Sequence, residues 1–93
     1  MKSLFTVIRR RGPAWDSAQP LEKQSLWREH ADFMIALARE GFVVLAGPRE
    51  SVKDALLIVR GESPEEITAD PWTASGHLVT GEIARWDLRI GSL

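Results

Sequence analysis

The chain has 93 residues, with 12 basic and 13 acidic side chains and a formal net charge of −1 at pH 7. This length suits one small domain covering residues 1–93, and the balanced charge gives no general attraction to nucleic acid, so no nucleic-acid partner is expected. The chain contains no cysteine, which excludes disulfides, thiolate catalysis and cysteine metal sites.

The first residues, MKSLFTVIRRRG, contain an apolar run that is too short for a signal peptide. No stretch approaches the apolar length of a membrane span, so no membrane partner is expected. The absence of cysteine fits a reducing compartment. We therefore expect a cytoplasmic protein.

Residues 3–10, SLFTVIRR, predict a strand that is partly apolar on both faces, which is typical of a central strand. Arg9 in this strand is a candidate to meet a substrate anion, although the run of three arginines also suits a solvated strand end or an ion pair. Residues 12–20 predict a loop. Trp15 in that loop either covers the mouth of a pocket or packs back on the sheet.

Residues 21–41, LEKQSLWREHADFMIALAREG, predict one long helix that starts near Pro20 and ends at Gly41. Its apolar side chains recur at helical spacing: Leu26, Trp27, Phe33, Met34 and Leu37. His30 falls on the same face, because it lies four residues from Leu26 and four from Met34. The helix therefore holds an imidazole against the interior of the fold.

Residues 42–46, FVVLA, and 55–59, ALLIV, predict two apolar strands joined as an antiparallel hairpin. Because neither strand alternates with polar residues, burial on both faces is expected. Helices would cover one face. The most economical cover for the other is a second copy of the chain.

Ser63-Pro64-Glu65-Glu66 predicts a helix start with a capping box, and the proline at position 71 predicts that this helix ends by Ala69 or Asp70. Residues 77–90 predict a long final strand. The order is thus strand, helix, strand, strand, helix, strand, which is the ferredoxin-like βαββαβ arrangement. We expect an α+β fold with a four-stranded antiparallel sheet, whose bare face pairs with a second copy to form a homodimer.

The chain resembles members of the YCII-related (YciI-like) family over nearly its whole length. The matching residues are His30, Gly41, Ala46-Gly47-Pro48, Ser63-Pro64-Glu65-Glu66, Asp70-Pro71-Trp72, Gly76 and Trp86. The chain departs from the family's usual pattern in a longer loop before the first helix, the loop that contains Trp15.

The resemblance implies a dimeric α/β barrel built from ferredoxin-like subunits. It also implies that the family's proposed active-site pair, a histidine and an aspartate, corresponds here to His30 and Asp70. Dehydrochlorination of a hydroxylated aromatic is one activity associated with the family, and related barrels include muconolactone isomerases and small monooxygenases. In such a pair the carboxylate fixes the imidazole tautomer, and the free nitrogen acts as a general base.

The alternative for this pair is a structural role, in which a carboxylate bonds to a buried histidine and holds two helices together. Trp72 is a candidate pocket wall, whereas Trp27 suits core packing better. His77 is a weak candidate for a metal site with His30 and Asp70, because the two histidines lack a short ligand spacing. We expect no metal and regard His77 as a partly exposed residue at a strand end.

Two functional hypotheses follow. In the first, a cofactor-independent lyase or isomerase uses His30 as base and Asp70 as its orienting partner. Trp72, Arg9 and Trp15 then contact a small aromatic or lactone-like substrate. In the second, a non-catalytic dimer binds a small ligand or a protein. The sequence has no phosphate loop and no G-x-S-x-G elbow, so nucleotide-dependent catalysis and serine hydrolysis lack support.

Overall fold

The computed structural model describes residues 3–50 and 53–92. The elements of these residues follow one another as β1 (Ser3–Arg11), a 3-10 turn (Leu21–Lys23), α1 (Trp27–Arg39), β2 (Val43–Arg49), β3 (Asp54–Gly61), a 3-10 segment (Pro64–Ala69), α2 (Pro71–Ser75) and β4 (Leu78–Arg85). No helix in these two ranges is long and apolar enough to cross a membrane.

The four strands form one antiparallel sheet in the order β2-β3-β1-β4. This confirms the predicted α+β class with a four-stranded antiparallel sheet, and the arrangement is compatible with a ferredoxin-like fold. Val7 in β1 lies opposite Leu57 in β3 and Ile83 in β4. The pairing of β1 with β4 shifts between Val7 and Arg9, which is a β-bulge of the kind that re-aims side chains.

The hydrophobic core lies on one face of the sheet, against α1. Its buried members are Val7, Leu37, Phe42, Val43, Leu57, Val59 and Ile67. Side chains alternate between faces along a strand, so Arg9 shares the core face with Val7. This alternation brings a cationic side chain into the interior.

The opposite face is only partly covered within the chain. Ile8 and Ile58 in the two central strands are buried, whereas Leu45 is 55% exposed and Val79 is 49% exposed. This is the face for which a second copy of the chain was expected as cover, so its burial stays a prediction, and β2 is the more exposed of the two apolar strands. The reason is topological, because β2 is an edge strand whereas β3 is central.

The long helix is shorter than predicted. Residues 21–23 form a separate 3-10 turn, and Leu26 has a left-handed backbone with φ of 63° before α1 begins at Trp27. Leu26 is 42% exposed, so it does not extend the buried stripe of the helix. The predicted end is confirmed: Gly41 has φ of 83°, and the amide of Phe42 donates to the Leu37 carbonyl, as in a Schellman motif.

The second helix also differs from the prediction. Residues 64–69 form a 3-10 helix, and the Ser63 hydroxyl bonds to the Glu65 carboxylate instead of closing a capping box. A separate short helix, α2, then starts at Pro71, the residue predicted to follow the helix end. Pro71 permits this because proline is favoured at the first helical position, while Asp70 keeps the extended conformation that a residue before proline prefers.

The last strand ends at Arg85, so the prediction of a strand to residue 90 is wrong at its end. The Trp86 amide still donates to the Leu4 carbonyl at 2.9 Å. The last paired residue of the strand is Arg85, which lies opposite Phe5 in β1. Trp86, Leu88 and Ile90 are accordingly exposed.

Candidate functional site

Asp70 lies at the N-terminus of α2, and the local sequence fixes its side chain. Its Oδ1 accepts a hydrogen bond from the Trp72 amide at 2.9 Å, which is a normal role for aspartate at this helix position. The carboxylate is fully buried. Its second oxygen, Oδ2, is therefore left to bind residues from other parts of the fold.

Two side chains from distant elements reach that oxygen. His30 Nδ1 on α1 lies 2.6 Å from Asp70 Oδ2, and Arg9 Nη1 on β1 donates to the same atom at 2.8 Å. Arg9 Nη2 donates to the Thr73 hydroxyl at 2.6 Å. We call Arg9, His30 and Asp70 the trio. It joins β1, α1 and α2 at one buried point.

The trio is shielded from solvent to different degrees. Arg9 and Asp70 are each 1% exposed, whereas the His30 side chain is 14% exposed. Burial alone would raise the pKa of Asp70, but hydrogen bonds from His30 and the Trp72 amide, with the charges of His30 and Arg9, hold that pKa below its usual value. Asp70 is therefore ionised at neutral pH.

Arg9 supplies the compensating positive charge. Burial lowers the pKa of Arg9, against the opposing effects of the Asp70 charge and hydrogen bond. A guanidinium still keeps its proton in proteins, so Arg9 and Asp70 form a buried ion pair. Arg9 Nε is buried without a hydrogen-bond partner in the described part of the chain.

The indole ring of Trp72 packs against one face of the His30 imidazole. The two rings stack with centres 3.9 Å apart and planes 9° from parallel. Trp72 is 1% exposed, and its Nε1 donates to the Ser25 carbonyl at 2.7 Å. Stacking and the Asp70 bond together fix both the position and the orientation of the His30 ring.

Trp15 meets the edge of Trp72, with ring centres 5.5 Å apart at 80°. The buried Gln24 side chain fixes the Trp15 loop through bonds to Asp16 and to the Gln19 carbonyl. The start of the loop is held as well, because the Gly12 amide donates to the His77 carbonyl at 2.8 Å. Trp15 therefore packs against Trp72 in α2 and lines a cavity, whereas the sequence raised packing on the sheet or covering the mouth of a pocket.

The cavity beside the trio has a volume of about 590 Å³. This volume lies within the roughly 300–1,000 Å³ of small-molecule sites. Its apolar wall includes three tryptophans, Trp15, Trp27 and Trp72, together with aliphatic side chains such as Met34 and Leu57. His30 and Arg9 also line it. Trp27 is thus part of the wall and does not only pack in the core.

His77 lies apart from the trio. It is 7% exposed, so the expectation of a partly exposed histidine is wrong. Its Nδ1 lies 2.7 Å from the Ser75 hydroxyl, and its ring lies 5.6 Å from the Trp72 ring. Residues 3–50 and 53–92 hold no group of three or more histidine, cysteine or acidic side chains that could bind a metal ion.

The structure thus brings together His30, Asp70, Trp72, Arg9 and Trp15, the five residues that the sequence singled out. The solvated alternative for Arg9 is wrong, because strand alternation takes its side chain inward. Sequence reasoning missed Thr73, which binds Arg9, and Arg11, which lines the cavity. The spacing in the sequence could have found both residues. Thr73 lies one helical turn after Asp70, and Arg11 lies two residues after Arg9 and so on the same face of the strand.

The geometry leaves one reactive atom available. Because Asp70 accepts from Nδ1–H of His30, a neutral ring carries its lone pair on Nε2. Among the described residues, Nε2 makes no hydrogen bond, and His30 lines the cavity. Such a nitrogen can accept a proton from a bound molecule.

Comparisons of the chain with models of protein families, with curated proteins and with solved structures found no match.

Proposed function

We propose that this protein is a cofactor-independent enzyme that uses His30 and Asp70 for general acid–base proton transfer on a small aromatic or lactone-like molecule. The observation that carries the proposal is the 2.6 Å contact between His30 Nδ1 and the buried Asp70 carboxylate at the wall of a 590 Å³ cavity. The reaction class is an isomerisation or an elimination.

His30 Nε2 takes a proton from a C–H or O–H group of the bound molecule, and the imidazolium that forms is stabilised by Asp70. Arg9 adds to the interactions that keep Asp70 ionised and donates a hydrogen bond to the same carboxylate oxygen. In an isomerisation, His30 returns the proton to another atom of the same molecule. In an elimination, the electron pair of the broken C–H bond forms a double bond as the leaving group departs.

We further propose membership of the YCII-related family and a homodimer in which the two sheet faces pack together as a dimeric α/β barrel of ferredoxin-like subunits. The incompletely covered sheet face supports the dimer, because it presents Leu45 and Val79 to solvent. An exposed apolar sheet face commonly marks a protein interface. A cytoplasmic location is part of the same proposal.

A second candidate is a non-catalytic protein that binds a small ligand or a partner, in which the trio is a structural bridge. The observation in its favour is that Asp70 Oδ2 is shared between His30 and Arg9, so the carboxylate ties three elements together. Removing one partner of such a buried ion pair strongly destabilises a protein, because the other charge is left buried without compensation.

Proton abstraction can be tested without knowing the product. We would incubate the protein in D2O with phenylpyruvate, 4-hydroxyphenylpyruvate and two butenolides, and follow loss of the exchangeable C–H signal by proton NMR. The catalytic proposal predicts exchange of at least one compound that falls about 10²- to 10⁴-fold in His30→Gln. His77→Gln is the matched control, because it removes the other histidine of the chain.

The outcomes separate the two candidates. If the folded His30→Gln variant exchanges the compound as fast as the native protein, His30 is not the base. If the native protein exchanges none of the compounds and His30→Gln mainly lowers the free energy of unfolding, the structural bridge is the better description. Far-UV circular dichroism establishes that each variant is folded before rates are compared.

A further inference from the structure

The cavity carries positive charge although the whole chain has a net charge of −1. Four cationic side chains line it, from Arg9, Arg11, Arg49 and Lys53, against one acidic side chain, Asp54. Three of these cations gather at one end of the sheet, where β1 and β2 end and β3 begins. A cleft lined by one sign of charge concentrates ligands of the opposite sign.

Two of the four cations already have anionic partners. Arg9 pairs with Asp70, and Arg49 pairs with Asp54 through Nε at 2.8 Å and Nη2 at 2.6 Å. Lys53 and Arg11 differ, because neither forms an ion pair with an acidic residue of the ranges 3–50 and 53–92, and Arg11 has an aromatic neighbour. Its guanidinium carbon instead lies 4.8 Å from the centre of the Trp15 ring.

The stack on Trp15 gives Arg11 a defined position at the cavity wall. The N–H groups of a guanidinium lie in its own plane. A guanidinium that packs over an aromatic ring can therefore still bind a carboxylate through two parallel hydrogen bonds. Trp15 is itself fixed by the loop contacts and by its edge contact with Trp72. These contacts therefore hold Arg11 beside the tryptophans of the cavity wall, to which His30 also belongs.

We propose that the ligand of this site is an organic carboxylate with a flat apolar body, whose carboxylate binds Arg11 and whose body packs against Trp15 and Trp27. This inference rests on the proposed function for the role of His30, and it adds the chemical class of the substrate. A neutral aromatic molecule would use the apolar wall but would leave the charge of Arg11 without a partner.

The test compares benzoate with benzamide, which has the same shape but no charge. Each is titrated into ¹⁵N-labelled protein, and the indole N–H signals of the four tryptophans report binding. We expect saturable shifts with benzoate at lower concentration than with benzamide, and weaker benzoate binding at 0.5 M salt. In Arg11→Gln, benzoate affinity should fall about tenfold while benzamide affinity stays unchanged.

Arg39→Gln is the matched control, because Arg39 is an exposed arginine in the last turn of α1, away from the cavity lining. It should bind benzoate as the native protein does. Equal affinity for benzoate and benzamide, no saturable shift with benzoate, or an unchanged benzoate affinity in Arg11→Gln would each overturn the proposal.

The failure of this proposal can be told from the failure of the catalytic one. His30→Gln should still bind benzoate, since Arg11 holds the carboxylate. If the native protein binds benzoate through Arg11 but catalyses no proton exchange, the carboxylate site stands and the catalytic role of His30 is wrong. If a butenolide exchanges in a His30-dependent manner but benzoate does not bind, the general base stands and the carboxylate class is wrong.

Discussion

The imidazole of His30 lies flat on the indole of Trp72, with ring centres 3.9 Å apart and planes 9° from parallel. A histidine held only by its carboxylate could still rotate about that hydrogen bond. The stack removes this freedom, because rotation would drive the imidazole into the indole face. Trp72 is therefore a positioning residue for His30 as well as a wall of the cavity.

Replacing Trp72 tests this relationship. Trp72→Phe keeps an aromatic face but loses the 2.7 Å bond from Nε1 to the Ser25 carbonyl and part of the buried volume. We expect the free energy of unfolding to fall by about 1–3 kcal/mol, measured by urea denaturation. Trp86→Phe is the control, and a change within about 0.5 kcal/mol is expected there because Trp86 is exposed. Equal effects of the two substitutions would contradict the assignment.

Asp70 should make the protein sensitive to acid. Its pKa is lower in the folded chain than in the unfolded chain, where an aspartate has a pKa of about 3.9. Its contribution to stability is therefore fully present above the unfolded pKa and is lost as the pH falls through the folded pKa. Between pH 5 and pH 2, the free energy of unfolding of the native protein should fall more steeply than that of Asp70→Asn.

The same variant should be less stable at pH 7. Asp70→Asn leaves the buried Arg9 without an anionic partner, so a loss of about 3–5 kcal/mol is expected by chemical denaturation. Asp32→Asn, an exposed position on α1, serves as the control. The lowered pKa of Asp54, beside Arg49, acts in both proteins and cancels in the comparison. Identical acid slopes for the native protein and Asp70→Asn would show that Asp70 makes no such contribution.

Gly12 is required for steric reasons. A Cβ at this position would lie 2.2 Å from the Gly76 carbonyl oxygen, which is a backbone atom and cannot move aside by itself. Gly12→Ala should lower the free energy of unfolding by about 1–3 kcal/mol and shift the indole signal of Trp15. Gly47→Ala is the control, since nothing lies within 4 Å of its Cβ position. A Gly12→Ala variant as stable as Gly47→Ala would rule out this close approach.

The exposed Leu45 tests the proposed dimer. If two sheet faces pack together, Leu45→Glu places a charge in the interface, and sedimentation should change from a dimer to a monomer. Ile35→Glu is the control, because Ile35 is 49% exposed but lies on α1. It should remain a dimer. A native protein that sediments as a monomer at the same concentration would refute the proposed assembly.

The strand predictions from the sequence were largely correct because the strands carry clear local signals. Residues 3–10 and 55–59 are rich in β-branched side chains, and both lie in strands. The ends were harder to predict. The final strand stops at Arg85, opposite Phe5 in β1, and such an end depends on pairing between residues that are distant in the sequence.

The helices and the site show where local reasoning fails. Leu26 belongs to the apolar repeat, yet its left-handed backbone places it outside α1. A proline is found both just after the end of a helix and at the first position of the next one. The sequence around Pro71 therefore predicts the end at Ala69 but does not reveal that α2 begins at Pro71. The partners of Arg9 are 61 and 64 residues away, and only the folded sheet reveals that it faces Asp70 and Thr73.

These long sequence separations also have a consequence for the order of folding. The 3-10 turn, α1 and the β2–β3 hairpin form through local contacts, but the trio needs β1 and residue 70 to meet across 61 positions. Closing a loop of this length costs chain entropy before the contact forms, and small domains with many distant contacts fold more slowly than those built from local ones. A chain growing from its first residue therefore carries Arg9 without its anion until Asp70 has been made, 61 residues later.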